Sequence, residues 1–360
     1  MCRKTITSFF LYGGFFLLSL SVLFSCDSGP EWKKIELPDH RSGSPGETIE
    51  LRVANVVNAR FKNLSDAQLK ELFEKTIVMV RQNFDLAISF SEVDTVPIEQ
   101  FFSYLKDNVK AARRNDIVDV EKPGEGDHQK MQDGIYRVLS GYWSEREAAV
   151  DFARPYLLVP YEGDDFNQLA KALVDTLLMR LEYWRQQKAD DGKPVIDDRP
   201  YNEWVWWDSI GYGDMPYDVV ITNQLVASAE IYDMSIHSSI RGGITAGTTA
   251  YSKQGKLGGY VYAMVYPMLN DSEMLAELRN DEHYSSDQVT TYAAALLTHE
   301  LGHLLLHLGH PFGNHSCIMS PTPLLKYREW VEGLDASQCL LNSEAAMTPG
   351  VIDINYRSDW

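Results

Sequence analysis

The chain has 360 residues, 44% hydrophobic and 11% aromatic, enough for one large domain or two modest ones with a proper core. Lys and Arg total 33 against 51 Asp and Glu, a formal net charge of −18 with no basic stripe to offset it. Such a surface repels phosphate backbones, so no nucleic-acid partner is expected.

Arg3 and Lys4 precede an apolar run from Phe9 to Phe24. The run is shorter than the roughly 20 residues of a spanning helix, which favours a secretory signal. It ends Leu23-Phe24-Ser25-Cys26. This resembles a bacterial lipoprotein signal, in which the cysteine is acylated and becomes the new N-terminus; the other reading is an uncleaved signal anchor. The expectation is a signal peptide over 1–25 and an exported protein, lipid-anchored through Cys26 to a bacterial membrane on its periplasmic or cell-surface face. Loss of the signal leaves a net charge of −20. Residues 26–47, with Asp, Ser, Gly and Pro and little apolar periodicity, read as a tether. Of four cysteines, Cys2 goes with the signal and Cys26 is the lipid site. Cys317 and Cys339 are then one pair in an oxidising compartment, the expected disulfide.

The globular part starts near Thr48. Leu51–Val57 suits a strand. Ser65 and Gln68 have capping-box spacing, and Leu64 and Leu69 that of a hydrophobic staple. Leu69, Leu72, Phe73, Ile77, Val80 and Phe84 then follow at helical spacing. Leu86–Phe90 reads as a strand, Ile98–Ala112 as helical, and Tyr156–Val159 as a further strand. Phe166, Leu169, Leu173, Leu177, Leu181 and Trp184 mark another long helix. Lys188 to Pro216 is irregular, with Trp204, Trp206 and Trp207 read as packing residues. Asp218–Thr222 reads as a buried strand, and the alternation over Tyr260–Tyr266 as another. Strands interleaved with helices predict a mixed α/β sheet.

A second capping-box spacing, Ser285 and Gln288, opens a helix that carries Thr298-His299-Glu300-Leu301-Gly302-His303. Residues four apart lie one above the other on a helix, so His299 and His303 can direct both imidazoles at one metal ion. Glu300 projects beside them as a general base. This is the H-E-x-x-H arrangement of zinc hydrolases, in which the metal lowers the pKa of water to about 7. Five of the nine histidines fall between 299 and 315, a cluster that chance surface histidines do not explain.

The sequence continues through His307-Leu308-Gly309-His310-Pro311 to Cys317-Ile318-Met319-Ser320-Pro321. Here the chain resembles the metzincin clan of metallopeptidases, matrixins and archaemetzincins included. The resemblance implies a twisted mixed sheet with a long active-site helix and a small C-terminal subdomain. It implies Zn2+ held by His299, His303 and His310, with Gly309 at the helix end and Met319 as the Met-turn residue. Pro321 and Pro323 would wall the pocket for the residue after the scissile bond. The stretch from Arg241 to Thr248, with Gly243, Ile244 and Thr245, looks like the edge strand that binds an extended peptide by backbone hydrogen bonds; an ordinary turn is the other reading of its glycines. Two departures stand out. The clan places glycine three and histidine six residues after the second histidine, where this chain has Leu306 and Gly309. Only Cys317 matches the second-zinc cysteines of archaemetzincins.

His307 lies eight residues beyond His299, about 12 Å along a regular helix, too far to share one ion with zinc–nitrogen bonds of about 2 Å. That leaves His310, with His315 in reserve. The expected organisation is a catalytic subdomain over 48–310 and a C-terminal subdomain over 311–360. The expected function is a zinc metalloendopeptidase that hydrolyses protein or peptide substrates with a zinc-activated water and Glu300 as base. The alternatives are a gluzincin-type hydrolase using Glu329, Glu332 or Glu344 as third ligand, and a surface binding protein on a zincin scaffold that does not cleave.

Overall fold

The structure is a computed structural model that describes residues 48–103, 127–158, 161, 163–195, 216–227, 243–244, 247–250, 260–271, 275–276, 279, 282–306, 308, 316–320 and 326–338. Strand β1 (Ile49–Val57) leads through helix α1 (Asp66–Phe84) to β2 (Ile88–Pro97), which runs directly into the short α2 (Ile98–Phe102). Then come α3 (His128–Tyr142), α4 (Arg146–Ala153) and α5 (Phe166–Gln186). Strands β3 (Val219–Thr222), β4 (Gly247–Ala250) and β5 (Tyr260–Met264) come next, then α6 (Tyr266–Leu269), α7 (Ser286–Leu306) and α8 (Tyr327–Glu332).

The five strands form one sheet in the order β2-β1-β3-β5-β4. The first four run parallel, and β4 is antiparallel to β5 at the edge. The protein is therefore a mixed α/β fold, as the alternating pattern predicts. A parallel strand is covered on both faces, so it reads as a continuous apolar run, and all four residues of β3 are buried. The sheet is pinned by polar groups at two places. Opposite Arg52, β2 carries one extra residue, so the β1–β2 register shifts between Leu51 and Val53. The Arg52 amide donates instead to the buried Asp218 carboxylate (2.9 Å), which also accepts from the Arg52 guanidinium (3.0 and 3.1 Å). Beyond the ends of β1 and β3, Asn58 donates to Asn223 and to Gln224 (2.7 Å each), closing a buried network.

Helix α1 starts where the sequence predicts. Both halves of the Ser65–Gln68 capping box are formed, and Leu69, Leu72, Phe73, Val80 and Phe84 are buried. It packs against α7, which is buried on nearly every side and also meets β4, β5, α6 and α8. A helix apolar all round belongs in the middle of a domain. The box at Ser285 and Gln288 is formed too, at 2.9 and 3.3 Å.

Some expectations are corrected. Of the strand expected at Tyr156–Val159, the described residues 156–158 are not a strand: Arg154–Tyr156 is a 3-10 turn with a proline in it, and Leu158 donates its amide to Thr176 on α5 (3.3 Å), while Val159 lies outside the described residues. Proline lacks the N–H that a ladder needs. The strand expected to reach Tyr266 stops at Met264, and the chain turns into α6, which has Pro267 in its first turn. The strand expected at Leu86–Phe90 runs over Ile88–Pro97. Helices α3 and α4 were not expected. Helix α3 buries Met131, Ile135 and Leu139 at four-residue spacing, beneath a cap in which Asp127 accepts from the Lys130 amide (3.0 Å). Of the Ile98–Ala112 helix, the described part is α2. Residues 1–47 and Trp204, Trp206 and Trp207 lie outside the described residues, as does Cys26. Among the described residues no helix is long and apolar enough to cross a membrane.

Candidate active site

Helix α7 carries His299, Glu300 and His303 into the interior beside the sheet edge. His299 and Glu300 are buried, and His303 is partly buried. The one-turn spacing does what helical geometry predicts: the two Nε2 atoms lie 3.0 Å apart, with the rings edge to face. On its far side each ring is held by a backbone carbonyl. His299 Nδ1 meets Ile318 O at 2.8 Å, and His303 Nδ1 meets Leu308 O. A carbonyl oxygen only accepts, so each Nδ1 carries a hydrogen, and in its neutral form each ring presents an Nε2 lone pair to the other. Loss of hydration pushes the His303 imidazole down to about 4, partly offset by the Leu308 carbonyl, so the neutral form prevails near neutral pH.

Two lone pairs facing at that distance suit a shared cation. Nitrogens bound about 2 Å from one zinc lie roughly 3 to 3.5 Å apart, and ligating histidines usually give their other N–H to a carbonyl or carboxylate. The pair therefore fits two of the ligands of a zinc ion. Among the described residues no group of three His, Cys, Asp or Glu side chains suited to a metal is present. His307, Gly309, His310 and His315 lie outside the described residues. Just past the end of α7, the Leu308 amide donates back to Gly302 O (3.2 Å) while the Leu308 carbonyl holds His303.

The turn Cys317-Ile318-Met319-Ser320 closes with Ser320 N donating to Cys317 O (2.9 Å) and Met319 N to Cys317 Sγ (3.3 Å). Through the Ile318 carbonyl it holds His299, and Met319 is buried against α7 at Gly302. A Cβ at Gly302 would overlap Met319 Sδ and would stand 2.8 Å from Phe84 Cζ. Cys317 is buried in this turn. Its expected partner Cys339 lies outside the described residues, so the 317–339 pairing stands as a proposal. From α8, the buried Trp330 stands edge to face with His299 at 6.4 Å between ring centres.

On the sheet side, Gly247 opens the edge strand against Glu300. The expected substrate strip lies just ahead of it. Gly243 has φ +79 and is a turn glycine, and Ile244 is buried and bridged to Ala227. Thr245, Pro321 and Pro323 lie outside the described residues. Gly247, Gly302, Leu308, Ile318 and Trp330 were not singled out as site residues from the sequence. The HELGH glycine was the one signal that could have pointed to Gly302. Comparison of the chain with protein-family models, with curated proteins and with solved structures gives no match.

Proposed function

We propose that this protein is a zinc-dependent endopeptidase of metzincin type. The observation that carries the reading is the His299–His303 pair: two Nε2 atoms 3.0 Å apart, each ring fixed from behind by a carbonyl, with Glu300 beside them. Further support comes from the sheet order with one antiparallel edge strand, and from the Met319 turn packed beneath Gly302. His299 and His303 would hold the zinc, with His310 as third ligand. When bound, zinc supplies a Lewis acid and lowers the pKa of water to about 7. Glu300 takes the proton from the attacking water and passes it to the leaving amine. An extended peptide lies along β4, paired through backbone hydrogen bonds.

The gluzincin alternative draws less support. Glu332 pairs with Arg328 (2.9 Å), and the Glu329 side chain is 65% exposed. Glu344 lies outside the described residues. The non-cleaving binding protein differs in one outcome, the absence of turnover.

The test combines zinc analysis with cleavage of a peptide library, with and without chelator. Glu300→Gln should keep the metal and lose about a hundred- to ten-thousand-fold in rate. Wild-type turnover in that variant would overturn the mechanism. His310→Ala should weaken zinc binding severely and His307→Ala barely; the reverse would put the third ligand on the helix. Membrane attachment through Cys26 belongs to the same proposal. Cys26→Ser should free the protein from the membrane fraction or block its processing, and normal anchoring of that variant would exclude the lipid.

A further inference from the structure

Gly247 is buried at the start of the edge strand, where β4 pairs Gly247 with Ala263 of β5. Directly opposed residues of an antiparallel pair project to the same face. Ala263 is fully buried there, and the three atoms nearest to a Cβ built on Gly247 would all belong to Glu300. The Cβ would stand 2.6 Å from Oε1, 2.8 Å from Cγ and 2.9 Å from Cδ. Non-bonded heavy atoms at such distances overlap, so Cγ, Cδ and Oε1 of Glu300 occupy the space that a Cβ at 247 would fill.

Backbone conformation does not explain this glycine. Among the described glycines, Gly192 and Gly243 have positive φ and Gly247 does not. Alanine could adopt the Gly247 backbone; it could not coexist with Glu300 where Glu300 now lies.

We propose that Gly247 is a positioning residue for the general base: its missing side chain is the seat of the Glu300 carboxylate against the edge strand. The inference rests on the peptidase reading of Glu300. The same backbone would lie beside the peptide, so the seat fixes the base relative to the strand along which the substrate runs. A catalytic group displaced by about 1 Å loses on the order of a hundredfold in rate. Because the atoms overlapped belong to a side chain and not to backbone, a Cβ at 247 moves the base without dismantling the sheet.

The test is Gly247→Ala, assayed with the zinc-loaded full chain and a fluorogenic peptide, in the Glu300 background and in Glu300→Asp. Gly247→Ala should lower kcat by about a hundredfold, with KM and bound zinc unchanged. In the Glu300→Asp background, one methylene shorter, it should cost less than tenfold or restore rate. Wild-type kcat in Gly247→Ala, or the same loss in both backgrounds, would overturn the proposal. If the wild-type chain cleaves no peptide, the peptidase reading fails and melting decides the seat. Gly247→Ala should then lower Tm with Glu300 present and leave it unchanged with Glu300→Ala. An equal Tm change in both would show that Gly247 does not seat Glu300.

Discussion

From Ser286 to Leu297, side chains of other elements hold α7. From Thr298 to Leu306, the backbone and the close packing of other elements hold the side chains of α7. In the first half, Gln68 donates to Ser286 (3.0 Å), and Lys75 reaches Asp287, Thr290 and Thr291 (2.8 to 3.0 Å). In the second half, the Ile318 and Leu308 carbonyls orient the imidazoles, Gly247 receives Glu300, and Gly302 receives Met319. Side-chain ties can be exchanged or lost at modest cost. Close approach cannot, because no alternative side chain fits. Substitutions in the first half should therefore change stability alone, and those in the second half should change chemistry.

The largest effect is expected at His303. Alanine is a good helix former, so His303→Ala should keep α7 while removing one of the converging nitrogens. Zinc at a hundred times its Kd should stabilise the wild-type protein by about 2.7 kcal/mol through linkage. The variant should gain little. Chemical denaturation with and without zinc measures both, and an equal gain in the two proteins would remove His303 from the site.

Gly302→Ala sharpens the comparison, because it lies in the chemical half yet touches the core. Overpacking against Phe84 and Met319 should cost about 1–3 kcal/mol. The rate should also fall, because the strained turn carries the Ile318 carbonyl behind His299. A stable variant of full activity would show that the turn is free to yield. Ser285→Ala removes the capping-box acceptor of the Gln288 amide and should cost about 1 kcal/mol with turnover unchanged. A fall in turnover there would mean that the two halves are coupled.

The anchoring half was legible in the sequence, and the second half only in part. Ser65 with Gln68 and Ser285 with Gln288 could be read because a capping box is local: three residues apart, with defined atoms. His299, Glu300 and His303 could be read because helical period alone brings them together. Helix α3 does carry a period, Met131, Ile135 and Leu139 at four-residue spacing behind the Asp127 cap, whereas α4 has eight residues, too few turns to mark one. Leu308 and Ile318 act through carbonyls, which every residue possesses, so their identity carries no signal. Gly243 and Gly247 look alike in the sequence. One needs positive φ and the other needs emptiness, and only the position of Glu300 tells them apart.

The smallest effect is expected at Lys75, where pH gives the comparison its finest test. Burial alone would lower the Lys75 pKa, but hydrogen bonds to Asp287 and Glu71 outweigh it and raise it above 10.5. The same contact with Lys75 holds the Asp287 carboxyl below 3.8. A raised lysine stabilises fully below its unfolded pKa and loses that contribution as pH rises through the folded value. A depressed carboxyl stabilises above its unfolded pKa and loses that contribution as pH falls through the folded value. The tie is therefore whole between about pH 4 and pH 10 and fades outside that window. Lys75→Met keeps the apolar stem and removes the charge. Its deficit in Tm should be small and flat across the window. It should shrink below about pH 4 and in 1 M salt, where the screening length is about 3 Å. The two threonine contacts survive acid in the wild-type protein, so the deficit should not vanish there. Peptide turnover at pH 7 should match wild type, since Lys75 meets only the first half of α7. A lowered kcat with zinc retained would show that the anchor sets the position of the catalytic half, and the division of α7 into two halves would fail.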